Sequence, residues 1–206
     1  READGSLVTQ ADLGTVSDHP WNEIVVDGRG MIYLNNIGFD MMAGREARPG
    51  IVALVRPDGS IREVADDVQF PNGMVVTPDG STLIVAESYG RRLTAFAIAP
   101  DGGLSNRRVW AELGDGVPDG ICLDAQGAVW YGDVPNARCV RVREGGEVLE
   151  TIQLDRGCFA CMLGGPDGST LFMMAAEWGG PAAVADAGRT GIVLTVEAPA
   201  PHAGRP

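Results

Sequence analysis

The chain has 206 residues, with 16 basic against 28 acidic side chains and a net charge of −12. This excess of carboxylates disfavours any partner held through its phosphates, so nucleic acid is not an expected ligand. Apolar residues make up 45% of the sequence, enough for a core, but no apolar run reaches the ~18 residues needed to cross a bilayer, and 29 Gly with 13 Pro argue for many turns rather than long helices.

The opening, Arg1 to Ser6, carries no leader pattern. Then comes Asn22-Glu23-Ile24-Val25-Val26-Asp27, an apolar strand preceded by an amide and closed by an Asp27-Gly28 turn. A β-branched run over 50–56 follows, ended by Pro57-Asp58-Gly59. Asn72-Gly73-Met74-Val75-Val76-Thr77 repeats the amide-then-strand pattern, followed by Pro78-Asp79-Gly80, strands over 81–86 and 92–98, and Pro100-Asp101-Gly102. Asp119-Gly120-Ile121-Cys122-Leu123-Asp124 repeats it again with a carboxylate, ahead of strands at 129–132, 139–143 and 147–153. Ala160-Cys161-Met162-Leu163-Gly164-Gly165 keeps the strand without the oxygen, and a strand at 191–196 precedes a Pro-rich tail.

The register 22, 72, 119, 160 recurs every 41 to 50 residues. A period of this size marks radially arranged units such as propeller blades. Each repeat reads as one four-stranded blade, and blades bury their faces only against neighbours. The fold class is therefore all-β, a single β-propeller domain over residues 1–206, with about four and a half repeats. Oxygens at the repeated position converge on one axis and suit a hard cation such as calcium.

Four cysteines are too sparse for a disulfide scaffold, so a reduced, cytoplasmic setting is expected. Cys158 and Cys161 have metal or redox spacing, but no second such pair follows and no His lies near, so they read as buried thiols. With only His19 and His202, Ser-His-Asp and Cys-His mechanisms are disfavoured, and no phosphate-binding glycine motif is present.

Phe70-Pro-Asn-Gly-Met74, Pro78-Asp-Gly-Ser-Thr-Leu-Ile-Val-Ala-Glu-Ser88, Leu104 to Val109 and Val117-Pro-Asp-Gly-Ile-Cys-Leu-Asp124 stand in the order and approximate spacing of a known family. Through them the chain resembles the regucalcin (senescence marker protein), gluconolactonase and luciferin-regenerating enzyme family. The resemblance implies a six-bladed propeller with a divalent cation in its channel, usually calcium, with zinc or manganese as alternatives, and hydrolysis of a small-molecule lactone. It implies that Asn72 binds metal, that Asp119 binds metal and acts as the acid/base, and that Asn22 lies near substrate. The family's metal-binding glutamate lies in a first blade upstream of anything here, so N-terminal blades, roughly 70 to 80 residues by the repeat arithmetic, are expected to be missing.

A further departure is Pro20, where sugar-lactone members carry a substrate-binding arginine that proline cannot replace. A gluconate-type lactone and a more apolar or different lactone are accordingly both open, within a gluconolactonase-like activity. Asp40 is the match to an acidic substrate contact, and Trp21, beside Asn22, is a candidate wall of the substrate pocket. The chemistry expected is polarisation of a lactone carbonyl by the cation, with Asp119 taking and returning a proton. Two other readings stand beside it: a calcium-binding propeller or interaction module without turnover, and a strictosidine-synthase-like propeller, against which the Asn72 and Asp119 combination speaks. Glu87 and Ser88 are possible supports of the channel, and Asp27, Asp124 and the Pro-Asp-Gly aspartates are expected to form turns.

Overall fold

A computed structural model describes residues 3–180 and 188–204. After one short 3-10 turn at Leu13–Thr15, the described residues form fifteen strands in four antiparallel sheets. The first sheet is β1 (Trp21–Val26), β2 (Ile32–Asn36), β3 (Gly50–Val55) and β4 (Ile61–Val68). The second is β5 (Pro71–Val76), β6 (Thr82–Glu87), β7 (Arg92–Ile98) and β8 (Leu104–Glu112). The third is β9 (Pro118–Leu123), β10 (Val129–Asp133), β11 (Arg138–Val142) and β12 (Val148–Gln153). The fourth has three described strands, β13 (Gly157–Gly164), β14 (Thr170–Ala176) and β15 (Ile192–Glu197). In each sheet the strand order follows the sequence, the meander of a propeller blade. The repeat register predicts this arrangement. The half repeat left over by length arithmetic forms no further sheet among the described residues.

The first strands of successive blades, β1, β5, β9 and β13, pack side by side. Their approach is set by two glycines. A Cβ on Gly73 would stand 2.5 Å from the Ile121 nitrogen, and one on Gly120 would stand 2.8 Å from the Ala160 Cα, so no side chain fits at either position. The blades are held apart and together by three apolar layers. Val25, Tyr33, Leu54, Met74 and Leu83 fill the first interface, and Ile84, Leu93, Trp110, Ile121 and Val140 the second. The third contains Trp130, Leu171 and Met173 with Cys122, Cys139, Cys158 and Cys161, so all four thiols are free and buried in one apolar layer. At ~25 cal/mol per Å² these layers carry most of the folding free energy. Truncating fully buried Leu54 or Leu171 to Ala would cost about 2–5 kcal/mol.

The expected turn formers do that work. Asp58, Asp79, Asp101 and Asp167 each accept a backbone N–H two residues on, at 2.9 to 3.1 Å. Asp27 accepts the N–H groups of Arg29 and Met31, and Asp124 those of Gln126 and Ala128, each closing an inner hairpin. The C-terminal segment then runs beneath the fourth and third blades. Ala198 N donates to Ser169 O, His202 N to Gly168 O, Ala125 N to Pro201 O and Ala203 N to Leu123 O. Among the described residues no helix is long and apolar enough to cross a membrane.

Candidate active site

In all four sheets the pairing of the innermost strand slips at the same place. The irregularities fall between Trp21 and Glu23, between Pro71 and Met74, between Pro118 and Ile121, and between Cys158 and Ala160. A bulge bends the strand and re-aims the side chain at that point. Asn22, Asn72 and Asp119 occupy the first three, which is how the repeat brings them to one end of adjacent strands; the fourth holds Phe159, one residue before the expected Ala160, which instead matches Gly73 and Gly120. Asn22 bridges the first gap, its Nδ2 donating to Pro71 O at 3.0 Å. Asn72 and Asp119 stand on adjacent inner strands, and the polar Asn72 side chain favours the charged form of the Asp119 carboxyl.

Burial dominates the electrostatics of Asp119. It pushes the carboxyl from 3.8 up to about 7, against the Asn72 hydrogen bond and the Gly120 N–H, with the negative charge of Glu23 adding to the rise. Among the described residues no arginine or histidine forms an ion pair with Asp119. Glu23 is itself raised by burial, partly offset by the Ile24 N–H.

Glu23 was not among the residues picked from the sequence. The available signal lay in the register: the position after each oxygen is Gly73 and Gly120 in the second and third repeats but Glu23 in the first. Where the others must lack a side chain, the first repeat has room for a carboxylate. Glu23 joins Met74, Ile121, Met162 and Met174 in lining a cavity of about 440 Å³ along all four inner strands.

Two buried side chains lock this end. Asn35, fully buried on β2, donates to Asn72 O at 2.7 Å and accepts the Glu23 N–H at 3.3 Å. Ser88, just past β6, donates to Pro118 O at 2.6 Å. Its neighbour Glu87 turns away from the channel into an ion pair with Arg92 and Arg107 and hydrogen bonds from Thr94 and the Gln69 N–H, so it serves the blade.

The remaining candidates lie farther out. Trp21 is half-buried at the start of β1, opposite Asn36. Asp40 is exposed beyond β2, and its carboxylate accepts the Ala43 N–H at 2.9 Å, capping a local turn. No hydrogen bond among the described residues joins Asp40 to Asn22, Asn72 or Asp119. At the rim, Phe70 stacks on Tyr89 with centroids 4.5 Å apart, and Phe39 meets Phe70 edge-on at 5.8 Å.

Among the described residues no three His, Cys, Asp or Glu side chains surround a common cation position. What the site offers is the Asn72 amide oxygen, the Asp119 carboxylate and the neighbouring Glu23 carboxylate. This all-oxygen set fits a hard divalent cation that draws its other ligands from water and substrate.

Residues 3–177 match the family model described as SMP-30/Gluconolactonase/LRE-like region. The chain belongs to this family. It is 29% identical over 183 residues to regucalcin from Danio rerio, covering 84% of this chain and 60% of that protein. It is 27% identical over 148 residues to a pentonolactonase from Haloferax volcanii, covering 63% and 49%. The structure of a calcium-binding regucalcin from Agrobacterium tumefaciens superposes with a TM-score of 0.77 at 22% identity, covering 98% of this chain and 69% of that one. The chain thus spans about half to two thirds of the length of these relatives.

Proposed function

We propose that this chain carries the catalytic side of a divalent-metal-dependent lactone hydrolase, with calcium as the preferred ion and zinc or manganese as alternatives. The observation that carries the reading is the Asp119 carboxyl, half-buried beside Asn72 with no cationic partner among the described residues and pushed up to about 7 by desolvation. A group with that affinity can take a proton in one step and return it in the next. The name of the pentonolactonase relative supports lactones as the substrate class.

Asn72 and Asp119 would hold the cation, which would supply Lewis-acid polarisation of the lactone carbonyl. Asp119 accepts the proton of the attacking water as the carbon–oxygen bond forms. The ring carbon–oxygen bond then breaks, and Asp119 delivers the proton to the leaving alkoxide. Asn22, tied to Pro71 O through its Nδ2, keeps its carbonyl oxygen to orient substrate or water. Trp21 and Asp40 are proposed as outer substrate contacts. Pro20 in place of an arginine removes one sugar-lactone contact and leaves gluconate-type and more apolar lactones both open.

The test is hydrolysis of a panel of sugar, alkyl and aromatic lactones followed by pH-stat, with calcium added and then chelated, beside Asp119→Ala. Calcium-dependent turnover lost in the variant supports the reading. A folded protein that binds calcium and turns over none of the panel would instead favour a calcium-binding propeller or interaction module.

A further inference from the structure

We propose that Ser88 is the positioning residue of this site: its hydroxyl decides which end of the Asn72 amide is presented to Asp119 and to the channel. The inference rests on the reading of Asn72 and Asp119 as the working groups.

The argument is one of hydrogen-bond capacity. A serine hydroxyl has one proton and two lone pairs. Ser88 places its proton on Pro118 O at 2.6 Å, so toward Asn72 it can only accept. The amide atom facing it, 3.5 Å away, is Nδ2. Its other hydrogen is available to the Asp119 carboxylate, in keeping with the way the Asn72 side chain favours the charged form of that carboxyl. That leaves Oδ1, to which no donor among the described residues hydrogen-bonds, as the amide atom free to face a cation or a substrate hydroxyl. Without an acceptor at position 88 nothing on that side distinguishes the two ends of the amide.

Ser88 is well placed to impose this choice. It is 6% exposed, and its own N–H donates to Phe70 O at 3.1 Å. The adjoining Glu87 pairs with Pro71, the residue before Asn72, and is pinned by its own ion pairs. The hydroxyl therefore starts from a rigid position. Its bond to Pro118 O reaches the residue immediately before Asp119, so one atom touches the supports of both working residues. Loss of a group that orients a ligand typically weakens metal binding by about 10- to 100-fold.

The experiment compares Ser88→Ala and Ser88→Thr in the full chain, with calcium affinity by titration calorimetry, thermal unfolding, and the side-chain NH₂ resonances of Asn72 by ¹⁵N NMR without metal. Ser88→Ala is expected to melt cooperatively, to bind calcium at least about tenfold more weakly, and to shift the Asn72 NH₂ pair toward its solvent-exposed values. Ser88→Thr, which keeps the hydroxyl, is expected to restore both. If Ser88→Ala fails to fold, Ser88→Cys, with its weaker acceptor, carries the same comparison. A variant with a lowered midpoint but unchanged calcium affinity and unchanged Asn72 resonances overturns the proposal and leaves Ser88 a purely structural residue. Should the wild type bind no calcium, the cation reading falls while the NMR arm still decides Ser88: shifted resonances support it, unmoved ones overturn it.

Discussion

Asp119 and Asp124 stand at opposite ends of the same inner strand, and their surroundings differ in one respect that separates chemistry from architecture. Asp124 is saturated: Oδ1 accepts two backbone N–H groups at 2.8 and 3.0 Å, and Oδ2 meets buried Arg141 at 2.6 Å, which is itself held by Gln126. Asp119 is half-buried, and it has an amide and a backbone N–H for company and a second carboxylate in view. A fully paired buried carboxylate fixes a turn. One buried without a counter-charge keeps a proton within reach of neutral pH.

The sharpest way to break this comparison is to remove each carboxylate's defining feature. Asp119→Ala is expected to lower lactone turnover by about 10³-fold with the melting transition retained, measured by pH-stat. Arg141→Ala, at the other end, should leave turnover chemistry in place but cost about 3–5 kcal/mol in urea unfolding, because Asp124 is left as an uncompensated buried charge.

Asp119→Asn sharpens the contrast through pH. The folded-state value of Asp119 lies above its ordinary one, so its contribution to stability is full below about pH 4 and is lost as pH rises through about 7. In the metal-free protein the variant should therefore match wild type at pH 4 and be more stable at pH 8, by up to about 4 kcal/mol, in paired denaturant titrations. The smallest effects fall on the neighbours. Glu23→Gln should move the Asp119 midpoint down by removing a like charge, and Asn72→Ala should move it up by removing the hydrogen bond, both followed by carboxyl ¹³C NMR with chelator present.

The sequence foretells much of this because the repeat is strict where the physics is strict. Gly73 and Gly120 are forced by the close approach of inner strands, so the positions 22, 72 and 119 can be read without coordinates, while the fourth falls at Phe159, one residue before the expected Ala160. The four blades and the placing of Asn72 beside Asp119 follow from that register. What it hides depends on direction rather than spacing. The bulges that aim the three oxygens have no residue signature of their own, and Glu23 reads as an ordinary surface glutamate until the strand it sits on is seen to lie innermost. Glu87 and Ser88 are adjacent and look equivalent as supports, yet a one-residue alternation sends one into the blade and the other to Asn72. The cysteine spacing draws the eye to Cys158 and Cys161, while their partners in the apolar layer, Cys122 and Cys139, come from two other strands.

The segment beneath the third and fourth blades has a consequence for the order in which the molecule can assemble. The bonds from Ala125 to Pro201 and from Ala203 to Leu123 join residues separated by the whole of the fourth sheet. Each blade is built from local hairpins that can form as soon as their strands exist, whereas this seam must wait until Pro201 and Ala203, beyond the whole fourth sheet, have been made. Such non-local closure is entropically expensive and slow. The third blade therefore spends its early life with its lower rim open, until a short stretch that lies in none of the four described sheets arrives to close it.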